Sequence, residues 1–464
     1  MSVNIENRMG TEPIKSLLIK LSLPMVGSMF VSGLYNVVDG IFISRISENA
    51  LAAVALSAPI QGLHVALAFG TGVGVNAVLS KRLGEGKPDE ANKAAGNSLL
   101  LGLFGYVVFL LFGWFFSEKF LLMQTDNPEI VEYGRIYLSI CCMASIGFFG
   151  QLTYERLLQS TGKTFYSMIS MSVGAVVNIV LDAILIFGYL GFPRMGIAGA
   201  AVATVLGQTS SMLTAMYFHG KKNDEIVITR KSIRPDWQII KDIYVVGLPS
   251  IMMQAVGSLM IFGVNGILVG FSTTATAIMG IYSKLARMVN LPIVGLNCGM
   301  IPIISYNYGA QDKKRILETM RLSFIGAFAL MTIGLLVFQI FAEPILKIYN
   351  ASADMMAMGI IALRILSVGF VFSGLSMIGS SVFQALGNGM YSLIVSLARQ
   401  LVVLIPLAYV FSLTGKLNLV WWAFPLAEIV GVIISVVMLR KVYVNVIQAI
   451  NDSRHIESYH SAKA

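Results

Sequence analysis

Apolar runs of about 20 residues follow one another from Leu18 to Leu439, separated by short polar breaks and never by a long polar domain. A helix rises ~1.5 Å per residue, so each run is long enough to cross a bilayer. The pattern predicts twelve spans, roughly over 18–44, 53–80, 94–116, 131–153, 165–189, 196–218, 243–269, 276–305, 322–342, 357–384, 391–413 and 419–439. Several exceed the minimal crossing length, which predicts tilt or extension into water. The expected fold is an all-α polytopic membrane protein.

The longest polar stretch, "HGKKNDEIVITRKSIRPDWQIIKD" over 219–242, divides the chain near its middle. Across it the sequence resembles itself. "LSLP" ending at Pro24 returns as "VGLP" ending at Pro249, 225 residues later. "SKRLGEGK" (80–87) lines up with "SYNYGAQD" (305–312), pairing Gly84 with Gly309 at the same offset. "LQSTGKTFYS" (158–167) matches "FQALGNGMYS" (383–392), pairing Gln159 with Gln384 and Gly162 with Gly387. Shared membrane-helix composition would not hold one offset over so long a stretch. The expected organisation is an N-terminal lobe over 1–218, a linker over 219–242, a C-terminal lobe over 243–440 and a tail over 441–464. Six spans per lobe is an even number, so both lobes enter from the same side. Their pseudo-two-fold axis then runs along the membrane normal. Two six-helix bundles facing each other form a central cavity and alternate access by rocking, which is transporter architecture.

Composition and charge sharpen this. Only 12% of the 464 residues are charged and 56% are hydrophobic, against about 25% charged in soluble domains. With the N-terminus inside, the positive charges collect on one face: Lys81, Arg82, Lys87 and Lys93; Arg156 and Lys163; the linker; Lys313, Lys314, Arg315 and Arg321; Arg440 and Lys441. The opposite loops hold little beyond Arg45, Lys119, Arg194, Lys347 and Lys416. That asymmetry places both termini in the cytoplasm, and it explains the net charge of +9 without a nucleic-acid partner. The three cysteines, Cys141, Cys142 and Cys298, lie in apolar runs and supply neither a disulfide framework nor metal-ligand spacing. No H-E-x-x-H, G-x-S-x-G or phosphate-loop motif is present, so the expectation is no enzyme, no ATP engine and no cofactor. His64, the one histidine well inside an expected span, reads as a packed side chain.

Polar residues inside spans carry the chemistry. A charge at bilayer depth costs at least ~2.5–3.5 kcal/mol, so it marks function by default. The first lobe holds Asp39 in span 1, Tyr137 in span 4, Asn178 and Asp182 in span 5, and Thr204 in span 6. Asn178 and Asp182, at i and i+4, share a helix face. All five lie roughly 10–17 Å in from the outer end of their spans. Two carboxylates with amide and hydroxyl oxygens make a hard-oxygen site. In an apolar surround they share a proton or hold a small hard cation. Asn178 and Thr204 also suit interhelical hydrogen bonding.

The second lobe does not repeat the site. Asp39 aligns with Asn265, and Asn178 and Asp182 fall on Val403 and Leu407. Its ionisable residues are Lys284, Arg287, Arg364, Arg399 and Glu428. Arg399 and Glu428 either pair with each other, or Glu428 stands free and attracts a cationic substrate. Tyr35, Asn36, Gln254, Asn265, Arg399 and Glu428 are the side chains expected along a substrate cavity. A methionine-rich wall there would suit varied apolar ligands.

Twelve spans in two repeats, Pro24 and Asp39 in span 1, "YERLLQSTGKT" (154–164) after span 4 and "NIVLD" in span 5 resemble the multidrug and toxic compound extrusion (MATE) family, from about residue 14 to residue 440. Without acidic residues in spans 7 and 10, the chain is similar to its bacterial DinF/MepA-like branch. The resemblance implies export of cationic amphiphilic compounds in exchange for protons or sodium. It further implies an ion-coupling cluster of Asp39, Asn178 and Asp182, the candidate ligands of a Na⁺ ion, with Tyr137 and Thr204. It implies a bacterial plasma-membrane protein that works as a monomer, with small molecules and membrane lipid as its partners. A lipid-linked oligosaccharide flippase of the same superfamily is the alternative, although such proteins usually have fourteen spans and a basic cavity.

Overall fold

The computed structural model describes residues 7–349 and 351–450. Of the tail expected over 441–464, residues 451–464 lie outside the described residues. Among the described residues, eleven helices are long and apolar enough to cross a membrane, and one bent pair makes a twelfth span. Spans 1–3 are Ile14–Ser44, Glu48–Gly84 and Pro88–Phe115. Span 4 is broken, Pro128–Met143 followed by Ile146–Ser160 with a 45° bend, where an unbroken helix over 131–153 was expected. Spans 5 and 6 are Thr164–Phe187 and Ile197–Lys222, and span 7 begins after the linker at Trp237–Val269. Spans 8–12 are Thr273–Gly309, Lys313–Ile348, Ala353–Ala385, Gly389–Ser412 and Leu417–Ile447. Most ends lie several residues outside the expected ones, because helices continue beyond the apolar core until a cap or glycine stops them.

The stops repeat along with the sequence. Ser47 accepts from the Ala50 N–H at 3.0 Å to start span 2, and Ser272 accepts from Ala275 at 3.0 Å to start span 8. Each side chain satisfies an amide the first helical turn leaves unpaired. Gly162 and Gly387 sit at φ of 75° and 81° in the turns that close spans 4 and 10. Any other residue would be strained in that left-handed conformation.

The two lobes meet through equivalent pairs, as a pseudo-two-fold requires. A Cβ on Gly70 of span 2 would lie 2.4 Å from Ile251 of span 7, and one on its repeat partner Gly295 of span 8 would lie 2.6 Å from Val26 of span 1. Gly74 and Gly299 form a second equivalent pair, against Ile243 and Ser22 respectively. Gly84 and Gly309 close the set by packing where spans 2 and 8 cross. Their Cβ atoms would lie 1.8 Å from the Tyr306 carbonyl oxygen and 2.1 Å from that of Lys81. Hydrogen bonds repeat too: Ser80 Oγ donates to the Ser160 carbonyl at 2.9 Å, and Ser305 Oγ to that of Ala385 at 2.8 Å. Hydrocarbon offers helices no hydrophobic drive to associate, so small residues that let backbones touch supply the contact.

These approaches stop partway along the spans. Span 1 approaches span 8 as far as Gly33, where a Cβ would lie 3.4 Å from Leu291, whereas a Cβ on Gly40, Gly266 or Gly280 beyond that level would meet nothing within 4 Å. The lobes are therefore closed at the linker face and part toward the opposite face.

At the linker face the N-terminal segment spans both lobes. Asn7 hydrogen-bonds Glu225 of the linker, and Lys163 lies 3.8 Å from the same carboxylate. Burial pushes the Glu225 carboxyl above its usual range, against the opposing pull of Lys163. From the second lobe, Arg315 donates to the Met9 and Glu12 carbonyls at 2.8 Å each, and Asn307 to the Met9 carbonyl at 3.0 Å.

Candidate functional site

Asp39 and Asp182 meet inside the first lobe. Their carboxylates lie within hydrogen-bonding reach of each other, and Oδ1 of each is buried without a protein donor. Asp182 is wholly buried. One turn earlier, the Asn178 side chain fits best with its nitrogen donating to Asp182 Oδ2 at 3.3 Å and its oxygen accepting from the Thr204 N–H at 3.2 Å. Thr204 thus reaches the cluster through its backbone. Spans 5 and 6 come this close because Gly207 faces Asn178, where a Cβ would lie 2.8 Å from that of Asn178. Tyr137 is buried before the break in span 4, near Gln61 of span 2 and within the field of Asp39. All five residues expected at an ion site share one region of the first lobe.

Two carboxylates in contact with unpaired buried oxygens are not a stable arrangement on their own. A proton shared between them or a cation between them would satisfy both, and Asn178 adds a further oxygen-bearing group. Among the described residues no group of three or more His, Cys, Asp or Glu gathers.

The six expected cavity residues do not converge. Gln254 and Arg399 line a cavity of about 230 Å³ between the lobes, together with Phe69, Arg156, Ser250 and Gln384. Tyr35 instead lines a smaller cavity, about 50 Å³, inside the first lobe beside Asn178 and Thr204. Asn36 is exposed and donates to the Ser32 carbonyl of its own helix at 2.7 Å. Asn265 keeps Oδ1 buried and without a partner. Glu428 is not free: Arg399 Nη1 reaches its Oε2 at 2.6 Å. Arg399 sits on a widened helical turn over Ala398–Leu404, and its side chain crosses Gly431 of span 12 to reach Glu428.

Two placements correct the sequence reading. Arg156, expected among the loop charges, is 4% exposed; its guanidinium donates to Gln159 at 2.7 Å and stacks over Phe69 at 4.6 Å. Its neighbour Glu155, which the sequence reading passed over, is 2% exposed and accepts from Gln151 at 2.9 Å and Ser211 at 3.3 Å. The signal was Leu157 and Leu158 directly after them, with no helix stop before Gly162. His64 is packed as expected, its ring 4.3 Å from Phe109 and 4.5 Å from Phe148.

Comparison with known proteins agrees with this geometry. The MatE family model matches residues 24–184 and again residues 249–410, two segments that begin 225 residues apart. The chain is 24% identical over 406 residues to the multidrug export protein MepA of Staphylococcus saprophyticus, covering 87% of this chain and 89% of that protein. It is 24% identical over 421 residues to a FAD transporter of Shewanella oneidensis, covering 90% and 92%. A solved outward-facing structure of a multidrug resistance MATE transporter superposes with a TM-score of 0.88 at 28% identity, over 95% of this chain and 98% of that one. With its family match in both repeats, its twelve spans and its two facing lobes, the chain belongs to the MATE family of membrane transporters.

Proposed function

We propose that the protein is a secondary multidrug exporter of the bacterial plasma membrane, moving amphiphilic compounds out of the cell in exchange for protons or sodium ions. The observation that carries this reading is the Asp39–Asp182 contact with its two unpaired buried oxygens, in a molecule whose lobes close at one face only. A cation bound there favours one lobe arrangement over the other, and substrate does the same from the central cavity. Coupling then requires no contact between the two, and each ligand weakens or strengthens the other by the same factor. One chain carries both lobes and the whole acidic cluster, so a monomer suffices. Confinement of the buried acidic pair to the first lobe supports the DinF/MepA-like branch.

Substrate charge follows from where the charges sit. The between-lobe cavity holds Arg156, and Arg399 neutralised by Glu428, with no carboxylate along its wall among the described residues. A cationic amphiphile would therefore be drawn toward the Asp39–Asp182 side of the first lobe. Arg156 and Arg399 favour a second reading, an anionic amphiphile, as with the relative named for FAD or with lipid-linked flippases. The test is uptake and release of ethidium against an anionic dye in proteoliposomes, with proton and sodium gradients imposed separately. Saturable export of the cation under one of the gradients is expected; transport of the anionic dye alone would overturn the cationic reading.

The linker face is the cytoplasmic one, since the loop positive charges collect there. A cysteine at Arg230, exposed in the linker, should resist an impermeant maleimide added to intact cells and react after permeabilisation. Labelling from outside would invert the orientation.

A further inference from the structure

Glu155 lies in span 4 on the linker side of the acidic pair, about one and a half turns before the helix ends at Ser160. A carboxylate 2% exposed in a membrane lobe is costly, and among the described residues this one forms no salt bridge, with only the field of the adjacent Arg156 to favour its charge. The adjacent Arg156 turns away to Gln159, Phe69 and, at 3.8 Å, Cys298 of span 8. His219 of span 6 is occupied with Asn223 at 3.0 Å and the Tyr154 ring. The donors that do reach Glu155 are neutral, Gln151 and Ser211.

The cavity of about 50 Å³ within the first lobe is walled by hydrogen-bond partners of Glu155 and of Asp182. Ser32, Tyr35, Gln151, Asn178, Thr204 and Gln208 line it. The same wall thus carries Asn178, the partner of Asp182, and Gln151, the donor to Glu155. Tyr35 lies within the electrostatic reach of both Asp39 and Glu155. A cavity needs only about 10–15 Å³ to hold a water, so a short water chain fits between polar walls. The route runs toward the closed linker face, opposite to the open cleft.

We propose that Glu155 is an inner station for the coupling cation, receiving it from Asp39–Asp182 through this cavity before release at the linker face. The proposal rests on the ion-coupled reading above. For a proton, the Glu155 carboxylate takes it up from the water chain and later gives it to water at the linker face; for sodium, carboxylate and amide oxygens replace part of the hydration shell.

The test compares two assays on purified full-length protein in proteoliposomes. One is ethidium export under a proton or a sodium gradient, each imposed alone; the other is ethidium exchange at equal concentrations without a gradient, which needs no net ion passage. Glu155→Gln should lower gradient-driven export about tenfold while exchange stays near wild type, a size typical of site-to-site coupling. Glu155→Asp should restore most of the export. Ser211→Ala, which keeps the charge and removes one donor, should show a smaller loss with the same split, and it serves if Glu155→Gln does not fold. Wild-type export in Glu155→Gln would overturn the proposal, as would equal loss in both assays, which marks a structural role. Asp39→Asn run beside it separates the two levels. If it also exports like wild type, the coupling reading fails; if it loses export while Glu155→Gln does not, only the inner station fails.

Discussion

Asp39→Asn should insert and fold like the wild type and lose gradient-driven export by at least about tenfold, the size of a coupling of ~1.4 kcal/mol. Asparagine keeps the shape and a polar tip but cannot carry the charge that a proton or cation answers. The Asp39 and Asp182 carboxylates lie within hydrogen-bonding reach, so removing one relieves the repulsion that favours ion binding. The lobe then no longer reports ion occupancy, and substrate moves without a driving gradient. Gradient-free exchange should persist, because Asp182 still supplies a carboxylate on that side of the first lobe and Asp39 does not line the cavity between the lobes. Export by Asp39→Asn equal to wild type at matched expression, with either gradient imposed, would make the carboxylate a passenger.

Gly84→Ala should shift the conformational equilibrium away from the state described here. Its new methyl would lie 1.8 Å from the Tyr306 carbonyl oxygen, a backbone atom that cannot swing aside. Overpacking of this kind costs about 1–3 kcal/mol. The penalty falls only on the arrangement in which spans 2 and 8 cross closely at the linker face. A population shift of about 5–150-fold toward opening of that face follows. Spin labels at Lys87 and Lys314, exposed positions in opposite lobes, should report longer separations than in the parent, with Cys141, Cys142 and Cys298 replaced by alanine. Gly309→Ala should do the same, since it occupies the equivalent position against Lys81. Unchanged separations in both variants would mean that the glycine crossing does not hold the lobes together.

Arg399 and Glu428 illustrate why part of the site was legible and part was not. Both residues stand out in apolar runs, and their adjacent spans admit a pair. Whether they pair depends on the widened turn at Ala398–Leu404 and on Gly431, which together aim the arginine across to span 12. Periodicity sees neither. Tyr35 and Asn36 make the same point at closer range: neighbours in sequence, they project about 100° apart on a helix. One lines the first-lobe cavity and the other hydrogen-bonds its own backbone in an exposed position.

The number of spans, the 225-residue repeat and the intramembrane carboxylates were determined by the sequence alone. Each is either a sum of local transfer free energies along the chain or a comparison of the chain with itself, and neither needs a partner in space. The tertiary structure alone decided which way each helix is rotated about its axis. That rotation brought Asp39 to Asp182 and placed Glu155 and Arg156 inside the protein. It is set by where small residues such as Gly70, Gly84 and Gly207 let distant backbones approach, an energy that exists only between segments far apart in the chain.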